Sequence, residues 1–336
     1  MHLEDVLFPS NAVKLAGTLA WSNASPPPPE QRAVILAAGS GHHDRDETVC
    51  GKTPFKNISD SLAARGFTVL RFDNRGVGAS GGSTEDTTFD TKVEDLLAAH
   101  TFLTTRGIAP GRVALVGHSE GGLTAGAAAA KVPACVAMLA GPAIPIEDLL
   151  HRQAWIASSQ AGATPAQLAH ERQMNAQVFA IARETAAREI RQRLFQEIMG
   201  EALRTWPDQV WESERQITDS AATMAAIVAA PDYCTLLQQR PERILSEVRA
   251  PIPAMFGGKD VQVEAEPNLH AFRAATAGNP DATAHVLADH NHLFQVADTG
   301  AIEAYEHLGD APSPAALDYL VAWLTAAMER GDRRSA

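Results

Sequence analysis

The sequence predicts an α/β fold, a mostly parallel central sheet flanked by helices, interrupted by an all-helical insertion. Three observations predict it. Strand-like runs at 33–38, 67–72, 113–116 and 135–140, mostly apolar and continuously so at 33–38, alternate with stretches of helical periodicity. Strands buried on both faces and joined by helices of that length form a parallel sheet with right-handed crossovers. The run at 113–116 passes straight into Gly117-His118-Ser119-Glu120-Gly121 and then into an alanine-rich stretch, a strand, a tight turn and a helix. From about 145 to 245 strand runs vanish, Gly becomes rare, and Ala, Gln, Glu and Arg take over at helical spacing. The predicted division is therefore a core of 1–144 and 246–336 with a helical insertion of 145–245.

Taken in order, residues 3–22 hold two β-like runs, around 6–8 and 13–21, with Ser10-Asn11 as the turn between them. Ser25-Pro26-Pro27-Pro28-Pro29 can join neither a ladder nor a helix and reads as a stiff surface connection. The buried run at 33–38 ends in Gly39-Ser40-Gly41. At 54–65, Phe55, Ile58, Leu62 and Ala63 recur at helical spacing, and Gly66 stops the helix. The strand at 67–72 runs into Asp73-Asn74-Arg75-Gly76-Val77-Gly78. A helix follows at 90–105, with Val93, Leu96, Leu97, His100 and Leu103 on one side. The insertion is punctuated by Pro165, Pro207 and Pro231. Its large apolar residues, among them Trp155, Ile156, Met174, Val178, Phe179, Leu194, Phe195, Met199, Trp206 and Trp211, either pack it together or line a substrate cleft. Strands return at 251–258 and 284–287, with helices at 264–277 and 313–330.

Composition narrows the function. A net charge of -12 with no basic patch argues against nucleic acid. Three scattered cysteines (Cys50, Cys135, Cys234) make no disulfide framework and fit a reducing compartment. No apolar run reaches bilayer length and no leader peptide is visible, so a cytoplasmic protein without a membrane partner is expected.

The chemistry concentrates on Ser119. In a strand–turn–helix context, Gly-x-Ser-x-Gly is a nucleophile elbow, whose glycines stand where a Cβ has no room. The helix that follows adds a positive end that stabilises anionic oxygen. A serine hydroxyl needs a base and a group to orient that base. In this architecture the partners follow in the order Ser, acid, His, at the carboxyl ends of strands. That order selects Asp260 as the acid and leaves His290 and His292 both open as the base.

Several blocks together resemble the α/β-hydrolase family, and within it bacterial esterase-like members. They are Gly39-Ser40-Gly41 with Asp44-Arg45-Asp46, the stretch from Arg71 to Ser80, Gly117-His118-Ser119-Glu120-Gly121-Gly122, Gly257-Gly258-Lys259-Asp260, and Asn291-His292-Leu293-Phe294-Gln295. They cover the chain apart from the insertion, which resembles a cap domain. The resemblance implies a Ser119, Asp260 and His292 triad, because the family's histidine lies in the Asn-His-Leu-Phe-Gln block. One oxyanion donor is expected at the backbone N–H of Glu120. By resemblance the other is that of Ser40, with Gly41 one residue away. The chain departs from the family at Gly41-His42-His43, where a Gly-Pro pair and a polar residue are common.

Other residues are weaker candidates. The side chain of His118 should point away from Ser119 and pack beside the elbow. His42, His43 and Asp44, or Asp289, His290 and His292, lack the helical i, i+4 spacing of a metal site. Asp44, Arg45, Asp46, Asp73 and Arg75 read as ion pairs that hold the strand-end loops. Gly76-x-Gly78 lacks the third glycine of a dinucleotide loop, and no feature near Cys50 suggests a reactive thiol.

The expected activity is that of a serine hydrolase, without cofactor or metal, that cleaves a carboxylic ester of a small to medium acyl substrate. Peptidase, thioesterase and acyltransferase readings share the fold, and a non-catalytic ligand-binding module is the rival of another class. Homo-oligomerisation stays open.

Overall fold

The computed structural model describes residues 1–22, 31–184 and 187–335; the proline connection at 25–29 lies outside the described residues. The two N-terminal runs form a hairpin of β1 (His2–Ser10) and β2 (Val13–Trp21). β1 extends well beyond the run around 6–8. Val6, Phe8 and Ser10 face inward while Leu3 and Leu7 face solvent, an alternation that Asp5 and Pro9 obscure in the sequence. Pro9 is tolerated because β1 is an edge strand.

The chain continues through β3 (Ala33–Ala37), α1 (Pro54–Ala64), β4 (Thr68–Phe72), α2 (Phe89–Thr105), β5 (Val113–His118), α3 (Glu120–Ala129) and β6 (Cys135–Leu139). Every residue of β3, β4, β5 and β6 is buried, so they read as mainly apolar runs without alternation, with Thr68 and Arg71 the polar residues of β4. α1 buries Phe55, Ile58, Leu62 and Ala63, and α2 opens on a reciprocal capping box between Thr88 and Thr91.

Next come α4 (Ile146–Gln160), α5 (Pro165–Glu184), α6 (Arg188–Arg204), α7 (Glu214–Val228), α8 (Pro231–Leu237) and α9 (Pro241–Glu247). The chain closes with β7 (Ile252–Gly257), α10 (Ala265–Ala275), β8 (Ala282–Leu287) and α11 (Pro314–Ser335). β8, an edge strand only half covered, is two residues longer than its sequence signal.

The strands make one eight-stranded sheet in the order β1-β2-β4-β3-β5-β6-β7-β8. β1 and β2 pair antiparallel, β2 meets β4 antiparallel, and the remaining neighbours are parallel. This is the expected α/β-hydrolase architecture. β5 lies between β3 and β6 near the middle of the sheet, so its carboxyl end is held from both sides by paired backbone.

The described residues divide into two compact units, Met1–Ile144 with Pro241–Ala336, and Pro145–Arg240. The division falls at 240 rather than 245, because α9 packs on α3 and α10 of the first unit. Within the second unit, Met174, Val178 and Phe179 of α5 and Phe195 and Met199 of α6 are buried, whereas Trp155 is exposed. No single described helix is long and apolar enough to cross a membrane.

Candidate active site

β5 ends at His118, and the chain reverses at Ser119 with φ 54° and ψ -127° before α3 begins at Glu120. A positive φ at a non-glycine residue costs on the order of 1–3 kcal/mol and persists only where its surroundings impose it. Those surroundings are visible. The Ser119 N–H donates to the Leu139 carbonyl at 2.8 Å, and the Ser119 carbonyl accepts from the Gly122 N–H at 2.9 Å. A Cβ on Gly117 would collide with the backbone of Gly121, and one on Gly121 with the Ala37 carbonyl. Both glycines of the motif are therefore required by close backbone approach. Gly39, in the loop after β3, comes within 3.2 Å of the Ser119 Cβ at the point where its own Cβ would sit. The loop carrying Ser40 and the turn at Ser119 are thus in direct contact.

Asp260 follows β7 and is buried. Its Oδ1 accepts the backbone N–H groups of Gln262 at 2.8 Å and Val263 at 2.9 Å. Its Oδ2 lies 2.7 Å from Nδ1 of His292, which is also buried. With a carboxylate as acceptor, Nδ1 is the donor, which in the neutral ring leaves the lone pair on Nε2. The His292 loop is built by its neighbours: Asn291 Oδ1 accepts from the N–H groups of Leu293 and Gln295, both at 3.0 Å. His290 goes elsewhere. Its Nε2 lies 2.6 Å from Ser313 Oγ, and Ser313 in turn accepts from the Ala316 N–H at the start of α11. Of the two downstream histidines, the one that meets Asp260 is His292.

Tyr305, which no sequence motif marks, is buried with its hydroxyl accepting from Gln262 Nε2 at 3.3 Å and from the His292 backbone N–H. Burial pushes this hydroxyl up to about 12. Glu120, whose N–H opens α3, turns its carboxylate onto Lys92 of α2 at 3.0 and 3.1 Å, in a pair that is buried on both sides. The Ser40 carbonyl accepts from His43 Nε2 at 2.7 Å.

The charged loops are ion-paired. Arg45 grips Asp73 through Nε at 3.0 Å and Nη2 at 2.7 Å, Arg71 meets Asp46, and Arg75 holds Asp95 through Nη2 at 2.7 Å. Burial alone would raise the Asp73 carboxyl, but the Arg45 contact and two backbone N–H groups hold it below its ordinary range. Asp44 accepts from the N–H groups of Asp46 at 3.1 Å and Thr48 at 2.9 Å. His43 and Asp44 therefore serve their own loop. Among the described residues the three cysteines form no disulfide, with Cys50 exposed and Cys135 and Cys234 buried.

His118 lies beside the elbow but does more than pack. Its Nδ1 is 3.0 Å from Glu47 Oε1, its Nε2 is 3.0 Å from the His292 carbonyl, and its ring centroid is 4.6 Å from that of His292. Neither Glu47 nor these bonds have a signal in the sequence.

The sheet order and the turn after β5 define a hydrolase-type α/β protein. A profile of the alpha/beta hydrolase family matches residues 34–304, and the chain belongs to that family. Esterase EstD of Thermotoga maritima is 34% identical over 116 residues, which is 34% of this chain and 28% of that protein. The chain thus aligns with under a third of that relative's length. Among solved structures, an esterase of Pyrococcus furiosus superposes with a TM-score of 0.57 at 16% identity, covering 97% of this chain and 91% of that one. A thermophilic esterase from Thermogutta terrifontis gives 0.53 at 17% identity, with 97% and 99% covered. The proline iminopeptidase of Mycobacterium smegmatis gives 0.55 at 18% identity, with 97% and 99% covered. At these identities the likeness is one of fold.

Proposed function

We propose that the protein is a serine hydrolase that cleaves a carboxylic ester of a small to medium substrate through an acyl-enzyme. The observation that carries this reading is the 2.7 Å contact between Asp260 and His292 in the unit whose elbow presents Ser119 at positive φ. Ser119 attacks the acyl carbonyl, and His292 Nε2 takes the hydroxyl proton and returns it to the leaving alkoxide. Asp260 fixes the tautomer and stabilises the imidazolium. Water, activated by the same histidine, then releases the acid. The N–H groups of Glu120 and Ser40 receive the tetrahedral oxyanion, and losing one such donor costs about 3 kcal/mol in the transition state. An ester is the favoured substrate because an alkoxide leaves more readily than an amine. The partial kinship with an esterase agrees with this.

The helical unit Pro145–Arg240, inserted in the chain after β6, is assigned the role of a substrate-selecting cap. Ser119→Ala should remove all but residual hydrolysis of p-nitrophenyl esters and all labelling by a fluorophosphonate, with the fold intact by circular dichroism. Turnover near the wild-type level in that variant would displace Ser119. A series of p-nitrophenyl esters of graded chain length, run beside amide and thioester analogues, then defines the acyl group.

A further inference from the structure

Glu47 and His118 form a buried acid–base contact that the triad does not use. Glu47, 2% exposed, sits at φ 52° in the loop after β3. Its Oε1 accepts the Gly39 N–H at 2.7 Å and faces His118 Nδ1 at 3.0 Å. The other ring nitrogen of His118 faces the His292 backbone carbonyl at 3.0 Å. Both partners of this ring present oxygen lone pairs. A neutral imidazole has one N–H and one lone pair, so one of the two short contacts would set lone pair against lone pair. With Glu47 ionised, only the imidazolium satisfies both. The three bonds together join the oxyanion loop through Gly39, the elbow through His118, and the base-bearing loop through His292.

We propose that Glu47 and His118 are positioning residues for the hydrolytic site, an ion pair whose imidazolium anchors the His292 backbone while its carboxylate anchors Gly39 beside Ser119. This rests on the Ser119–His292–Asp260 reading. Neither side chain need touch substrate; each acts through the loop it holds. An error of about 1 Å in such placement costs on the order of 100-fold in rate.

The surroundings favour the charged pair. Burial opposes both charges. For Glu47, the attraction of His118, its hydrogen bond, the nearby His43 and the Gly39 N–H together bring the carboxyl below its ordinary range. For His118, the Glu47 charge and hydrogen bond, the His292 carbonyl and Asp260 outweigh burial and raise the ring above the usual histidine value. The ionisable groups that face the pair are thus His43 from the loop after β3, Asp260 from the loop after β7, and His292 from the loop after β8.

Two measurements on the full chain test the proposal. With histidine ring nitrogens labelled by ¹⁵N and His118 assigned through His118→Asn, the wild-type ring should carry protons on both nitrogens at pH 6, and in Glu47→Gln on one only. In ester hydrolysis, Glu47→Gln should lose roughly 10- to 100-fold in kcat with KM within about threefold, the pattern of lost transition-state placement. The double variant Glu47→Gln/His118→Asn should be no slower than the worse single one, as for residues that act as a unit. The wild-type advantage in kcat should shrink as rising pH removes the second His118 proton.

A singly protonated His118 in the wild type at pH 6 overturns the proposal. So does a Glu47→Gln variant with wild-type kcat and only a lowered melting temperature. Should Glu47→Gln fail to fold, the wild-type ring spectrum still decides. Failure of the site reading shows differently, as turnover retained in Ser119→Ala.

Discussion

Asp260 divides its work between its oxygens, one held by two backbone N–H groups and the other by His292. Asp260→Asn can keep the first set of bonds while its amide N–H faces Nδ1, which inverts the histidine tautomer. Catalysis should fall about 10³- to 10⁴-fold, with a small change in melting temperature; steady-state ester kinetics and thermal unfolding read the two effects. The two downstream histidines separate in the same way. His292→Ala should remove nearly all turnover, whereas His290→Ala removes the partner of Ser313 and should cost about 1 kcal/mol of stability with kcat within a few-fold. The reverse ranking would move the base to His290. Much of this was legible beforehand, because strand ends and the order Ser, acid, His are sequence properties. Spacing left the two histidines open, since both follow the same strand and only side-chain direction separates them; the resemblance alone pointed to His292, the one that meets Asp260. Glu47 and Tyr305 were invisible for a related reason. Glu47 stands in a run of charged residues that resembles a solvated loop, and its burial is imposed by Gly39 and His118, neither of them a periodic neighbour.

Among the elements, α2 and α3 meet through a contact that periodicity does not reveal. A count of apolar residues gives α2 the face Val93, Leu96, Leu97, His100 and Leu103. The structure buries Lys92 and Asp95 as well and leaves Leu97 only half-buried. Lys92 is there for Glu120, and Asp95 for Arg75. Lys92→Met should cost about 3–5 kcal/mol, because it strands the Glu120 carboxylate without its counter-charge at the first turn of α3. Adding Glu120→Gln should recover most of that loss. Urea unfolding of the two single variants and the double variant measures the coupling, and strictly additive losses would deny it. The central strands were legible for the opposite reason, as two covered faces leave no alternation to misread. β1 and β8 were under-read because each is half covered at an edge of the sheet.

At the scale of the whole molecule, one unit carries the sheet, the elbow and every candidate site residue, and its stability should bear the mark of the buried Glu47–His118 pair. A histidine raised by folding contributes stability that is fully present below its unfolded value near 6.5 and is lost as pH climbs through the raised folded value. A carboxyl lowered by folding contributes stability that is present above its unfolded value near 4.5 and is lost as pH falls through the lowered folded value. The two windows overlap between about 4.5 and 6.5, so the pair stabilises most in that range. Glu47→Gln cannot titrate at this position and leaves His118 without its counter-charge. The difference in melting temperature between wild type and Glu47→Gln should therefore be widest across that interval. It should narrow toward alkaline pH as His118 gives up its proton, and toward strongly acid pH as Glu47 takes one. Scanning calorimetry of both proteins from pH 3 to 9 measures this difference directly. A constant difference across the whole range would mean that Glu47 contributes by shape and hydrogen bonding alone, with no ion pair in the folded state.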